Sequence, residues 1–115
     1  MTDYPKTAEN YHSGLSALGE EVPDPVNRFT ELVQTCTAEG ELSVKVKELI
    51  AFGIAIAVRC DGCIAHHANE VLNAGATRKE VAEMIGVAIV MGGGPSSVYG
   101  VEALRAYDAF AEKDG

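Results

Sequence analysis

The chain has no tryptophan, and aromatic residues make up only 6% of its 115 residues. Strands draw heavily on aromatic and β-branched residues in alternation, and no sustained alternation occurs here, so an all-β architecture is disfavoured. Basic residues are also scarce. Nine Lys and Arg against seventeen Asp and Glu give a formal net charge of −8 and a pI near 4.7. Nucleic acids and anionic membrane surfaces are held largely by Lys and Arg, so neither is an expected partner. Long apolar runs are missing too. The longest, Leu49 to Val58, spans ten residues between Glu48 and Arg59, about half of the ~20 that a membrane span needs. The start, Met1-Thr2-Asp3-Tyr4-Pro5, lacks the basic and then apolar pattern of an export signal. No internal repeat, low-complexity tract or linker is visible. The expectation is a soluble, cytoplasmic protein with one domain over residues 1–115.

Small and apolar residues at helical spacing predict an all-α bundle of five or six helices. The first covers Thr7 to Leu18, with Tyr11, Leu15 and Leu18 on one face and Gly19 at its end. Pro23 and Pro25 open a second, whose stripe is Phe29, Leu32 and Val33 and which ends between Cys36 and Gly40. Ser43 can cap a third from Val44 to Arg59. That helix is apolar nearly all round, so it is expected to lie at the centre or to be covered by another subunit. Cys60-Asp61-Gly62-Cys63 breaks it and opens a fourth helix that runs to Asn73 and closes at Gly75. Thr77-Arg78-Lys79-Glu80 has the form of a capping box before a fifth, which ends at Gly92-Gly93-Gly94. Pro95 then starts a sixth containing Tyr107 and Phe110.

The chemistry centres on two of the three cysteines. Without an export signal, the C-x-x-C at Cys60 and Cys63 points to redox or metal chemistry rather than a structural staple. If Cys63 lies in the first turn of the fourth helix, the helix N-terminus favours its thiolate. His67, four residues on, falls on the same face and can take the thiol proton. His66 is set roughly 100° from His67 and is expected at the surface or an interface. Glu48 is the sole acid between Ser43 and Arg59 and is a candidate to orient His67. Their meeting is conditional. Glu48 lies roughly 18 Å before Cys60 along a straight helix and His67 roughly 10 Å after it, so the helices must be antiparallel and the turn must absorb the difference.

The pattern Glu48-x11-Cys60-x2-Cys63-x3-His67 resembles the E-x11-C-x-x-C-x3-H signature of the alkyl hydroperoxidase D (AhpD)-like proteins of the carboxymuconolactone decarboxylase superfamily. The likeness runs from about Ser43 to Met91-Gly92-Gly93-Gly94-Pro95, roughly half the chain. It implies an all-α fold and a homo-oligomer, a trimer or hexamer. It also implies a thiol-dependent peroxidase or disulfide oxidoreductase acting on hydroperoxides, with no cofactor or metal. By that likeness Cys63 attacks the peroxide, Cys60 closes a disulfide on it, and Glu48 and His67 relay the proton. A dithiol reductant, in some relatives a lipoylated protein, restores the thiols. Some relatives carry a histidine between the cysteines where this chain has Gly62. Lactone decarboxylases of the superfamily lack the cysteine pair.

Other readings of the same residues are a superfamily enzyme acting on a lactone or small organic acid, and a non-catalytic helical oligomer. Cys60 and Cys63 could also be small buried hydrophobes, or zinc ligands with His66 and His67, although adjacent helical histidines diverge. Cys36 is expected in the core, and His12, Tyr11, Tyr99 and Tyr107 as packing or interface groups. Gly92-Gly93-Gly94 reads as a helix break, since no Gly-Lys-Ser/Thr follows it.

Overall fold

The structure is a computed structural model describing residues 1–114. Six helices follow one another: α1 (Tyr4–Glu21), α2 (Pro23–Thr37), α3 (Val44–Ala57), α4 (Asp61–Asn73), α5 (Arg78–Gly92) and α6 (Gly94–Asp114). No strand occurs among the described residues, so the expected all-α bundle is the fold. No helix among them is long and apolar enough to cross a membrane.

Helix starts follow the local chemistry. The Ser43 side chain accepts from the Val46 N–H at 3.1 Å. Thr77 and Glu80 form a reciprocal capping box, each side chain accepting the other's backbone N–H at 3.1 and 2.8 Å. α1 begins three residues before its expected start at Thr7, because Asp3 caps it by accepting from Lys6 N–H, and Pro5 sits in the first turn. It also continues past Gly19. A Cβ there would stand 3.3 Å from Val26, so that glycine serves the α1–α2 contact rather than a helix end.

The ends of α3 and α4 are matching Schellman turns. At α4, the Ala76 N–H donates to Val71 O and Gly75 N–H to Leu72 O, with Gly75 at φ +88°. At α3, the Cys60 N–H donates to Ala55 O and Arg59 N–H to Ile56 O, with Arg59 at φ +58°. A non-glycine residue thus holds the left-handed position. For that reason the helix stops at Ala57 instead of reaching Arg59.

α4 is the central helix. It packs against α1, α3 and α6, and its Ile64, Ala65, Ala68 and Val71 are fully buried. Phe52 and Ile56 of α3, Val81 of α5, and Ala103 and Ala106 of α6 close the core around it. Small side chains set the spacing: a Cβ on Gly100 would come within 2.7 Å of Ile85, so glycine is required where α5 and α6 cross. Tyr4 joins α1 to α6 through a 2.9 Å hydrogen bond to Glu102, and buried Tyr107 donates to Ala76 O at 2.7 Å.

Of the two expectations for α3, enclosure at the centre or cover by another subunit, the chain alone does not supply enclosure: Val46, Ile50, Ile54 and Val58, at four-residue steps, form an exposed apolar stripe, Ile54 being 57% exposed. Val87, Val90 and Met91 of α5 and Val98 of α6 are exposed as well. α2 buries no residue, and its Phe29 and Leu32 are half exposed, because it leans mainly on α1 with a slight contact to α3.

Candidate active site

The connection from α3 to α4 brings the sequence-predicted residues together. α3 ends nine residues after Glu48, and α4 begins six residues before His67. The two arms are therefore about 13 Å and about 9 Å at ~1.5 Å per residue. The compact turn at Val58-Arg59-Cys60 sends α4 back along α3, and the glutamate side chain spans the remaining difference. Glu48 Oε1 accepts a 2.8 Å hydrogen bond from His67 Nδ1. The carboxylate is 5% exposed and the imidazole 20%, so the pair is largely screened from water. Among the described residues, Glu48 is one of two buried polar or charged residues, with Ser96. A carboxylate in that position is retained only where it is paired.

Cys60 is the N-cap of α4 and Cys63 lies in its first turn. The two are joined as a disulfide, with Cα atoms 5.1 Å apart, and the Cys63 N–H points at Cys60 Sγ at 3.2 Å. Once reduced, both sulfurs lie at the positive end of the helix dipole. They line one side of a cavity of about 620 Å³ together with His66 and His67. The opposite wall is apolar, built from Phe29, Leu32 and Val33 of α2 with Tyr11 and Leu15 of α1. The apolar stripe of α2 thus forms a cavity wall. Gly62 also lines the cavity, and no atom lies within 4 Å of where its Cβ would stand.

Three residues have roles that sequence reasoning missed. His66 is a cavity residue rather than a surface one. A residue three positions after Cys63 lies roughly 60° from it around the helix, against roughly 40° for one four positions on, so both histidines neighbour the sulfur. His12 comes from α1, and its Nε2 is 3.1 Å from His66 Nδ1. No signal in the sequence joins residues 54 positions apart. The rings of His12, His66 and His67 follow one another edge to face, at centroid distances of 5.2 and 4.8 Å. Cys36 is exposed and lines the same cavity, because α2 lies outside the core into which it was expected to point.

The electrostatics separate the two cavity histidines. Burial, with His67 and His12 alongside, lowers the His66 pKa to about 4, so this ring is neutral at neutral pH. His67 instead has a carboxylate behind it. Glu70, one turn further along α4, is raised above the usual carboxylate range by burial and by Glu48. Among the described residues no group of three or more His, Cys, Asp or Glu is arranged to hold a metal ion. The arrangement is that of a dithiol–disulfide couple beside an oriented imidazole, opening onto an apolar cavity.

Comparisons with known proteins agree on the frame. The sequence model of the carboxymuconolactone decarboxylase family matches residues 23–106. An uncharacterized protein of Cupriavidus necator is 35% identical over 108 residues, covering 94% of this chain and 96% of its own. Among solved structures, the apo form of a carboxymuconolactone decarboxylase family protein from Legionella pneumophila superposes with a TM-score of 0.90 at 38% identity, covering 93% of this chain and 96% of that one. A family protein from Thermotoga maritima, described as a candidate for involvement in antioxidative response, gives 0.79 at 27% identity, covering 91% and 92%.

Proposed function

The chain belongs to the carboxymuconolactone decarboxylase family, and we propose that it uses this helical frame as an AhpD-like thiol peroxidase and disulfide oxidoreductase. The observation that carries the reading is the Cys60–Cys63 disulfide sharing a cavity with a His67 whose Nδ1 is held by buried Glu48 at 2.8 Å. With Nδ1 occupied, Nε2 is the nitrogen left to exchange a proton with a thiol. In the proposed cycle His67 takes the Cys63 proton and the thiolate attacks the terminal oxygen of a hydroperoxide. The O–O bond breaks and the alkoxide takes the proton from His67, leaving Cys63 as a sulfenic acid and the substrate as an alcohol. The Cys60 thiol then displaces hydroxide, released as water, to give the disulfide. A dithiol partner, such as a lipoylated protein, returns both thiols by exchange and becomes a disulfide itself.

The cavity also bears on the lactone or organic-acid reading. No Lys or Arg lines it, and the carboxylates of Glu48 and Glu70 lie near it. A substrate bearing carboxylates would enter without a cation to receive it. The printed description of the Thermotoga maritima protein supports an antioxidant role by analogy.

We also propose a homo-oligomer, which the exposed Val46, Ile50, Ile54 and Val58 stripe supports, a trimer or hexamer being what the family resemblance implies. Ile54→Asp is expected to lower the mass seen by light scattering, and an unchanged mass would remove this stripe from the interface.

The activity is tested by counting thiols before and after one equivalent of tert-butyl hydroperoxide, with a peptide map. The reading expects loss of two thiols as a Cys60–Cys63 disulfide that a dithiol reverses. Survival of all three thiols would refute it.

A further inference from the structure

Two imidazoles stand side by side on α4, and both are anchored in the same way. Each has its Nδ1 occupied by a group from another helix: His67 by Glu48 of α3 at 2.8 Å, His66 by His12 of α1 at 3.1 Å. Each therefore keeps Nε2 free, and both rings line the cavity that contains the sulfurs. The anchors differ in charge. A carboxylate can compensate a positive charge on His67, whereas a second imidazole offers His66 none. Attack of a thiolate on a peroxide needs two services at once: a base for the thiol, and a donor for the oxygen on which negative charge develops. One imidazole cannot be bare and protonated at the same nitrogen in the same instant.

Resting on the peroxidase reading above, we propose that His66 is a catalytic hydrogen-bond donor that binds the reacting peroxide oxygen through Nε2–H, with His12 as its positioning residue. His12 Nε2 lies 3.1 Å from His66 Nδ1; in the proposed tautomer His12 Nε2–H is the donor, which leaves the His66 proton on Nε2. His66 then bonds the oxygen without giving up its proton. The bonds made and broken are those of the peroxidase step: S–O forms, O–O breaks, and the proton that reaches the alkoxide is the one His67 took from Cys63. Burial keeps His66 neutral at neutral pH, which suits a donor and not a base. His12 is exposed, and its ring meets that of His66 edge to face at a centroid distance of 5.2 Å.

The test compares two reactions of the reduced full-length protein. Iodoacetamide alkylation requires a thiolate alone, while oxidation by tert-butyl hydroperoxide requires the thiolate and the oxygen donor. His66→Phe keeps a ring of similar volume and removes the donor. It is expected to slow oxidation roughly tenfold, the scale of one lost hydrogen bond to a charging oxygen, with alkylation within about twofold of wild type. His66→Gln, whose amide N–H reaches a similar position, is expected to recover most of the loss. His12→Phe is expected to slow oxidation by about threefold with alkylation again unchanged, and His12→Gln to restore it. The His12 variants alter an exposed position and keep the test valid if His66→Phe does not fold. Parallel loss of both reactions would make His66 part of the thiolate machinery and overturn the assignment. So would oxidation undiminished in both His66→Phe and His12→Phe. A wild-type protein oxidised no faster than free cysteine would instead overturn the peroxidase reading itself, and the donor role with it.

Discussion

Replacing Glu48 by glutamine keeps the size of the side chain and removes its charge. In the native protein its carboxylate is almost fully buried and accepts from His67 Nδ1 at 2.8 Å. An amide can present its NH₂ to that nitrogen instead, which moves the His67 proton to Nε2 and leaves no lone pair to receive the thiol proton. Hydrogen bonds to charged groups are worth about 1.5–3 kcal/mol, and each 1.36 kcal/mol is about tenfold in rate. Glu48→Gln is therefore expected to slow alkylation of the reduced protein by iodoacetamide at neutral pH by roughly 10- to 150-fold. The same loss should appear in peroxide oxidation, because both reactions need the thiolate. The partner variant completes the argument: Glu48→Gln/His67→Gln should lose no more than His67→Gln alone, since the carboxylate acts through the imidazole. Urea unfolding of each variant separates a damaged fold from a damaged relay. A folded Glu48→Gln protein alkylated within twofold of wild type would refute the proposed relay, and additive losses in the double variant would refute the coupling.

Three further expectations concern stability. Thr77→Ala removes one half of the α5 capping box and is expected to cost about 1 kcal/mol, a melting shift of about 4 °C; a shift under about 1 °C would mean the Glu80 side chain suffices alone. Arg59→Gly relieves a left-handed residue at the α3–α4 turn, φ +58°, and is expected to raise stability by about 0.5–1 kcal/mol in urea unfolding, with a loss refuting the strain. His66 has a folded pKa of about 4, below its ordinary 6.5, so the unfolded chain binds the extra proton between those values. Stability is accordingly expected to fall as pH drops from about 6.5 through 4, by on the order of 1 kcal/mol after allowance for solvent around the ring. His66→Gln should flatten that decline, and an unchanged slope would refute it. Glu70, raised by burial and Glu48, contributes the opposite slope, so Glu70→Gln should steepen the decline.

Much of the frame was legible because its causes are local. Ser43, Thr77 and Gly75 mark helix ends by chemistry that acts within one turn, and each does so in the structure. Arg59 was not legible as a helix end because glycine is the usual signal for a left-handed residue, and here an arginine takes that conformation in a turn closed by the Arg59 and Cys60 N–H groups. The start of α1 at Tyr4 is set by the Asp3 cap and by Pro5 in the first turn, signals that lie outside the apolar periodicity. Apolar periodicity located the helices but misjudged their surroundings. The all-round apolar α3 is half exposed, and the small-residue α4 is the buried one. Periodicity reports which faces are apolar, not which neighbour covers them.

At the site, the spacing of Cys60, Cys63 and His67 was readable because three of the site's groups lie on one helix or its cap. The Glu48 contact was a conditional expectation, as it depended on how sharply the α3–α4 turn folds back. His12 and the α2 wall had no sequence signature at all. By itself, the sequence determined an all-α chain of five or six helices, the caps at Ser43 and Thr77, and a dithiol set beside an imidazole, since hydrogen bonding and rotation along one helix act over a few residues. Only the tertiary structure decided that Glu48 reaches His67, that His12 holds His66, and that α2 leaves the core to enclose a cavity. Those three depend on where separate helices cross, and that crossing is set by packing of small residues summed over the whole chain.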